Sequence, residues 1–259
     1  MENNNNKIEK MVLTALMTAL VAVMTIVIAI PVPFTNGYIH FGDSMIFMSV
    51  LILGWKRAPI AAGVGSAMAD IFLGYVYWAP WTLVIKGLMA LVAGLIILKC
   101  SEKRRYIVLS CGAVVALWVL FNLGIQAMVH FATINNPTEL MDALETNSIG
   151  FGALLAGMQR QLMIFALLIP VGLVVISIVL GKKDSISVQL GQIIGLTAGG
   201  LFMVFGYFIA GGMIYGNFAV AAFSIPANII QFVAGFFSAA LLAAALMKTP
   251  AYKYFLRFR

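Results

Sequence analysis

Residues 58–98 read APIAAGVGSAMADIFLGYVYWAPWTLVIKGLMALVAGLIIL and decide the fold of this chain. The stretch holds two apolar runs, 58–76 and 80–98, and each approaches the ~20 residues that a helix needs to cross a membrane. Asp70 in the first run and Lys86 in the second both lie about 9 Å below the membrane boundary, at about 1.5 Å per residue. Because an isolated charge is costly in lipid, we expect Asp70 and Lys86 to form a structural ion pair. Whether Lys86 also contacts a ligand is left open.

The rest of the chain has the same composition. Of its 259 residues, 63% are hydrophobic and 10% are charged, whereas a soluble domain has roughly 25% charged residues. This excludes a water-soluble globule and predicts a single integral membrane domain over residues 1–259. The apolar runs predict about eight spans, at 11–31, 42–54, 58–76, 80–98, 106–133, 151–180, 189–215 and 219–247. The expected fold is therefore an all-α polytopic membrane protein.

The basic residues predict the orientation of the spans. Fourteen of the sixteen Lys and Arg residues lie between the apolar runs, in five clusters at Lys7/Lys10, Lys56/Arg57, Lys99/Lys103/Arg104/Arg105, Lys182/Lys183 and Lys248/Lys253/Arg257/Arg259. Positive residues concentrate in cytoplasmic loops, and alternation from a cytoplasmic N-terminus places every cluster on that side. Both termini are therefore predicted to be cytoplasmic, with 248–259 as a basic tail. The net charge of +7 is explained by topology, so no nucleic-acid partner is expected.

Several polar side chains inside the runs need an explanation. Asn122, Gln126 and His130 form one helical stripe, and Arg160 lies in the next run. They could satisfy one another or line a ligand cavity. Asn228 and Gln231 share a face after a helix-bending proline, and their amides could bind a polar heterocycle or join helices.

The outer loops are rich in aromatic residues, which include Tyr38, Trp78, Tyr207 and Tyr215. They could form an interfacial belt or the walls of a site for a flat ligand. No zinc-protease motif, nucleophile elbow, paired-cysteine motif or phosphate-binding loop is present. We therefore expect no enzyme activity, no metal site and no cofactor.

Three regions together resemble the S components, the substrate-binding membrane subunits of energy-coupling factor (ECF) vitamin transporters, and most of all their riboflavin-type group. The matching stretches are ALMTAL (15–20), GYIHFGD (37–43), GSAMAD (65–70), APWTLVIKGL (79–88), GYF (206–208), YGN (215–217) and PANIIQ (226–231). The resemblance implies a six-helix core at 1–100 and 189–247. Residues 101–188 would then be an inserted transmembrane hairpin.

The resemblance also implies function. The chain would be the substrate-capture subunit of an ECF-type ABC importer in a prokaryotic plasma membrane. It would bind a small water-soluble vitamin or precursor outside the cell and deliver it with a transmembrane coupling subunit and two ATPase subunits. Ala15 and Ala19 would contact the coupling subunit. The implied substrate-binding residues are Asn36, His40, Asp43, Trp81, Lys86, Asn217, Asn228 and Gln231.

Two alternatives stay open. An autonomous ion-coupled secondary transporter of a small metabolite could use Asp70, Lys86 or Arg160 as its coupling charge. A membrane enzyme or assembly factor is the other alternative, and the absence of a catalytic motif argues against the enzyme. Which vitamin or metabolite is bound does not follow from these residues.

Overall fold

A computed structural model describes residues 4–32, 37–180 and 187–255 of the chain. The chain is mostly helical. In chain order, its elements are α1 (Asn4–Val27), β1 (Ala29–Val32), β2 (Gly37–His40), α2 (Gly42–Leu53), α3 (Ala58–Phe72), α4 (Ala79–Glu102), α5 (Arg104–Asn135), α6 (Pro137–Ala143), α7 (Ser148–Leu180), α8 (Ser187–Tyr215), α9 (Phe218–Ala221), α10 (Ile225–Leu246) and α11 (Tyr252–Phe255). A single 3-10 turn, Ala222–Ser224, joins α9 to α10.

Six helices within the described ranges are long and apolar enough to cross a membrane, which confirms a multi-pass membrane protein. Helices α2 and α3 coincide with two further predicted spans but have only 12 and 15 residues. At about 1.5 Å per residue they are shorter than the ~30 Å hydrocarbon core. Helix α3 ends at Phe72 because the chain turns at Gly74, whose φ is 86°. Eight full spans and the cytoplasmic position of the termini stay predictions, and Lys182, Lys183, Arg257 and Arg259 lie outside the described residues.

A two-stranded hairpin was not predicted. Strands β1 and β2 pair antiparallel, with Ala29 opposite His40 and Val32 opposite Gly37. The last residues of the first apolar run therefore form a strand instead of continuing the helix. The hairpin joins the end of α1 to the start of α2, so it lies at the same end of the helices as the α3–α4 turn. We call this the hairpin end.

Close helix contacts in the core depend on glycine. Helix α4 packs between α3 and α8. A Cβ atom at Gly63 of α3 would lie 2.6 Å from the backbone oxygen of Leu83, and one at Gly199 of α8 would lie 2.7 Å from that of Met89. Only glycine permits these approaches, as is usual for small residues between membrane helices.

Helices α5 and α7 pack against each other, and α5 contacts α4 and α8 at one side of the bundle. The indole of Trp118 donates to the backbone oxygen of Phe165 at 3.1 Å, and this bond joins the pair. Asn122 donates to the backbone oxygen of Trp118 in its own helix at 3.0 Å, while His130 and Arg160 are exposed. The predicted polar stripe is therefore not gathered around Arg160.

Candidate functional site

A buried polar network lies beneath the hairpin. Lys86 Nζ is 2.5 Å from Asp43 Oδ1, and neither side chain has any exposed surface. Gln231 donates from Nε2 to Asp43 Oδ2 at 3.0 Å, and its Oε1 accepts from the backbone N–H of His40 at 2.9 Å. Both oxygens of Asp43 are thus satisfied, and the network ties β2 to α2, α4 and α10.

The local sequence explains how Asp43 reaches this position. Asp43 lies in the first turn of α2, where the partial positive charge of the helix N-terminus favours a carboxylate. A Cβ atom at Gly235 of α10 would lie 2.8 Å from Asp43 Cβ. The glycine therefore lets α10 approach α2 and brings Gln231, one turn earlier, against the carboxylate.

The prediction that Lys86 forms an ion pair with Asp70 is wrong. Lys86 pairs with Asp43, and Asp70 accepts a hydrogen bond from the Tyr38 hydroxyl at 2.5 Å. The prediction considered only the two consecutive helices α3 and α4. It did not consider that the start of α2, more than forty residues before Lys86, would bring a carboxylate closer.

A cavity of about 50 Å³ lies between the hairpin and this network. It is bounded by β1, β2 and the ends of α3, α4, α8 and α10 at the hairpin end. Its walls combine aromatic rings with hydroxyl, amide and carboxylate groups. The lining residues are Val32, Gly37, Tyr38, His40, Asp70, Trp78, Thr82, Tyr207, Tyr215, Ser224, Ala227, Asn228 and Gln231.

Aromatic rings form one side of the cavity. Trp78 meets Tyr207 and Tyr215 edge to face, with ring centroids 5.8 and 6.2 Å apart. The rings of Tyr38 and Tyr75 contact each other at a tilt of 39°, with a centroid distance of 4.7 Å. The Tyr207 hydroxyl donates to Thr82 Oγ1 at 3.1 Å. Tyr38, Trp78, Tyr207 and Tyr215 thus form walls of the cavity.

The hairpin of β1 and β2 covers the cavity, and we call it the cap. His40 is a neutral structural residue of this cap. Its Nδ1 accepts from the backbone N–H of Gly42 at 3.1 Å, which leaves the ring proton on Nε2. Burial and, to a smaller extent, the positive charge of Lys86 lower the pKa of His40 to about 3, against the opposing effect of Asp43. The imidazole is therefore uncharged at neutral pH.

Tyr38 acts as a donor at the same place. Burial raises the pKa of the Tyr38 hydroxyl, and the neighbouring Asp70 raises it further. The phenol keeps its proton and donates a hydrogen bond to the Asp70 carboxylate.

The eight predicted substrate-binding residues separate into distinct positions. His40, Asn228 and Gln231 line the cavity, while Asp43 and Lys86 form the network beneath it. Trp81 packs half-buried against the core, and Trp78, one turn earlier, takes the place at the cavity. Asn36 lies outside the described residues.

Asn217 has a structural position instead. Its side chain caps α9 by accepting from the backbone N–H of Ala219 at 2.9 Å and of Val220 at 3.2 Å. It also donates to Glu139 of α6 at 3.3 Å.

The sequence left the aromatic lining residues between an interfacial belt and a ligand site, and it predicted Asp70 as the partner of Lys86 and not as a cavity residue. Within the described parts of the chain, no group of three or more His, Cys, Asp or Glu side chains could hold a metal ion.

A second concave surface lies between α1 and α3, away from the hairpin end. Ala15 and Ala19 are exposed there, and the side chains around them include Thr18, Arg57 and Met68. Nη1 of Arg57 is buried without a hydrogen-bond partner in the described structure. We call this surface the α1–α3 groove.

Comparison with known proteins identifies relatives. The model of the family described as "ECF-type riboflavin transporter, S component" matches residues 5–140. A protein of Pyrococcus woesei, described as an uncharacterized protein in the gap 3' region, is 45% identical over 74 residues. That alignment covers 29% of this chain and 49% of the relative, so the chain spans about half of its length. No solved structure matches the chain.

Proposed function

Because the chain belongs to the family of S components of ECF-type riboflavin transporters, we propose that it is the substrate-capture subunit of an ECF-type importer. This family consists of transporter subunits and not of enzymes, and the chain is a multi-pass protein of the cell membrane. The substrate would be a small water-soluble vitamin or vitamin precursor taken from outside the cell. Riboflavin, which the family name states, is the first candidate.

The observation that carries the proposal is the cavity at the hairpin end. Trp78, Tyr207 and Tyr215 offer ring faces and edges, and Asn228 offers an amide. This combination suits a flat heteroaromatic ring with polar edges, since aromatic side chains stack on such rings and an amide both donates and accepts.

Binding requires the cap to move. The cavity holds about 50 Å³, whereas sites for small organic ligands usually have ~300–1,000 Å³. The hairpin covers the cavity through Tyr38 and His40. Displacing β1 and β2 would enlarge the site and would break the bonds from Tyr38 to Asp70 and from His40 to Gln231, so we propose that the hairpin opens in this way to admit the substrate.

The α1–α3 groove is the proposed contact with the coupling subunit. Ala15 and Ala19 leave the face of α1 smooth, which allows a partner helix to approach closely. The chain has no phosphate-binding loop, so two ATPase subunits would supply the energy. Basic clusters such as Lys56/Arg57 lie at the opposite end from the hairpin, which supports an outward-facing cavity and cytoplasmic termini.

The division of the chain is also a proposal. Helices α1 to α4, α8 and α10 would form the six-helix core, with α5 and α7 added at its side. The packing of α5 and α7 on each other supports this division. The family match, however, continues through residue 140 and therefore includes α5.

Two measurements test the function. The purified chain in lipid nanodiscs should bind riboflavin and quench its fluorescence. In proteoliposomes, uptake should require the coupling subunit, both ATPases and ATP. Uptake by the chain alone, driven by an ion gradient, would instead support the secondary transporter.

A further inference from the structure

Asp70 is a buried carboxylate that the Lys86 network does not use. Asp70 is 3% exposed, and it lines the cavity. The Tyr38 hydroxyl donates to Oδ1 at 2.5 Å, and the Thr82 hydroxyl lies beside the carboxylate. Oδ2 has no hydrogen-bond partner among the described residues. A buried acceptor without a donor is costly, so this atom needs a partner that the described residues do not provide.

The charges around the cavity are not balanced. Lys86 is neutralised by Asp43 at 2.5 Å, and Gln231 completes that pair. His40 is neutral. Asp70 is therefore the one charged group facing the cavity from the described structure that no basic side chain pairs with. A ligand there should present a hydrogen-bond donor to it.

A second polar group at the cavity is also available. The Asn228 side chain lines the cavity and makes no hydrogen bond with other residues in the described ranges. An amide can donate to one carbonyl group and accept from a second partner. A carboxylate acceptor and an amide donor facing one aromatic-walled cavity fit a ring edge on which an N–H lies beside a carbonyl group.

We propose that Asp70 binds the substrate directly, with Oδ2 accepting a hydrogen bond from the ring N–H of a cyclic imide, while Asn228 donates to the neighbouring carbonyl. Tyr38 holds Oδ1 and so orients Oδ2 towards the ligand. The inference rests on the proposed function, and it names the part of the substrate that is recognised. An imide matches these groups better than a cation, because the Asn228 amide can donate to the carbonyl group beside the imide N–H, and a simple cation has no such acceptor.

The test compares two probes on the full chain in nanodiscs, riboflavin and 3-methylriboflavin, which lacks the imide N–H. The wild type should bind riboflavin roughly 10- to 100-fold more tightly than the methyl analogue, as for a hydrogen bond to a charged group. Asp70→Asn should lose a similar factor for riboflavin and should no longer distinguish the probes. Asp142→Asn, an exposed Asp on α6, is the matched control and should behave as the wild type.

Each outcome decides the proposal. Equal affinities of the wild type for both probes overturn it, and this comparison needs no variant to fold. Since Asn has the shape of Asp, a purely steric penalty of the methyl group would persist in Asp70→Asn and would also overturn it. Tight binding of riboflavin with unchanged affinity in Asp70→Asn overturns the role of Asp70 and leaves the proposed function standing. No flavin binding by the wild type overturns riboflavin as the substrate and this inference with it.

Discussion

Lys86 Nζ and Asp43 Oδ1 lie 2.5 Å apart in a position where neither side chain reaches the surface. The pair joins α2 to α4 and, through Gln231, to α10. Its position beneath the cavity means that it shapes the floor of the site without contacting the cavity itself. The charged groups in this region therefore lie in two separate positions: Lys86 and Asp43 form a buried structural pair, and Asp70 lines the cavity, where we propose that it binds the ligand.

Removing one partner of the Lys86–Asp43 pair should destabilise the fold. Lys86→Met leaves Asp43 buried without its counter-charge, and such a change costs about 3–5 kcal/mol. The double variant Lys86→Met/Asp43→Leu should recover part of that loss, because no uncompensated charge remains. Thermal unfolding of the purified variants in detergent measures both. Strictly additive effects of Lys86→Met and Asp43→Leu would show that the two charges do not interact.

The sequence predicted the helices well because most apolar runs here are long and have clear polar borders. It could not predict the partner of Lys86, since Asp43 is 43 residues away in the chain. The depths of Asp70 and Lys86 along two neighbouring helices do not show which residues of a third helix, here α2, lie close to them. The hairpin was missed for a local reason, because Ala29 to Val32 continue the apolar run that precedes them. Similarly, Trp78 and Trp81 are equally plausible cavity residues from the sequence. Only the rotation of α4 about its axis decides which of the two faces the cavity.

The Tyr38 hydroxyl should slow release of the ligand. Tyr38→Phe removes the hydrogen bond between the hairpin and Asp70 but keeps the ring contact with Tyr75. A hydrogen bond to a charged group contributes about 1.5–3 kcal/mol, so ligand dissociation should become roughly 10-fold faster or more. Stopped-flow fluorescence of bound riboflavin measures this rate.

Tyr75→Phe is the matched control for this experiment. It removes a hydroxyl from the ring that contacts Tyr38, and that hydroxyl has no hydrogen bond in the described structure. The dissociation rate should not change. Equal rates in Tyr38→Phe and the wild type would mean that the Tyr38–Asp70 bond does not hold the cap closed.

Acid should destabilise the protein through His40. Burial and Lys86 lower its pKa in the fold to about 3, against ~6.5 in an unfolded chain. The unfolded state therefore binds one more proton between these values, and stability should fall as pH drops from 6.5 towards 3, by up to about 1.4 kcal/mol per pH unit.

His40→Asn should remove much of this pH dependence, because Asn can accept from the Gly42 N–H in place of Nδ1 and does not titrate. His130→Asn, at an exposed position, is the control and should keep it. The measurement is the unfolding temperature at several pH values between 7 and 4. A similar slope in His40→Asn and the wild type would assign the acid sensitivity to other groups.

Docking on the coupling subunit should depend on the smooth face of α1. Ala15→Leu/Ala19→Leu adds two bulky side chains to the α1–α3 groove, where both alanines are exposed. A partner helix could then no longer approach closely, and co-purification with the coupling subunit of the same organism should be lost. Riboflavin affinity should stay within about 2-fold, because the groove and the cavity share no lining residue and the added side chains break no buried hydrogen bond.

The matched control is Ala240→Leu/Ala244→Leu, an exposed pair with the same spacing on α10, which should leave the complex intact. Retention of the complex by the α1 variant, or its loss in both variants, would remove the groove as the specific docking surface.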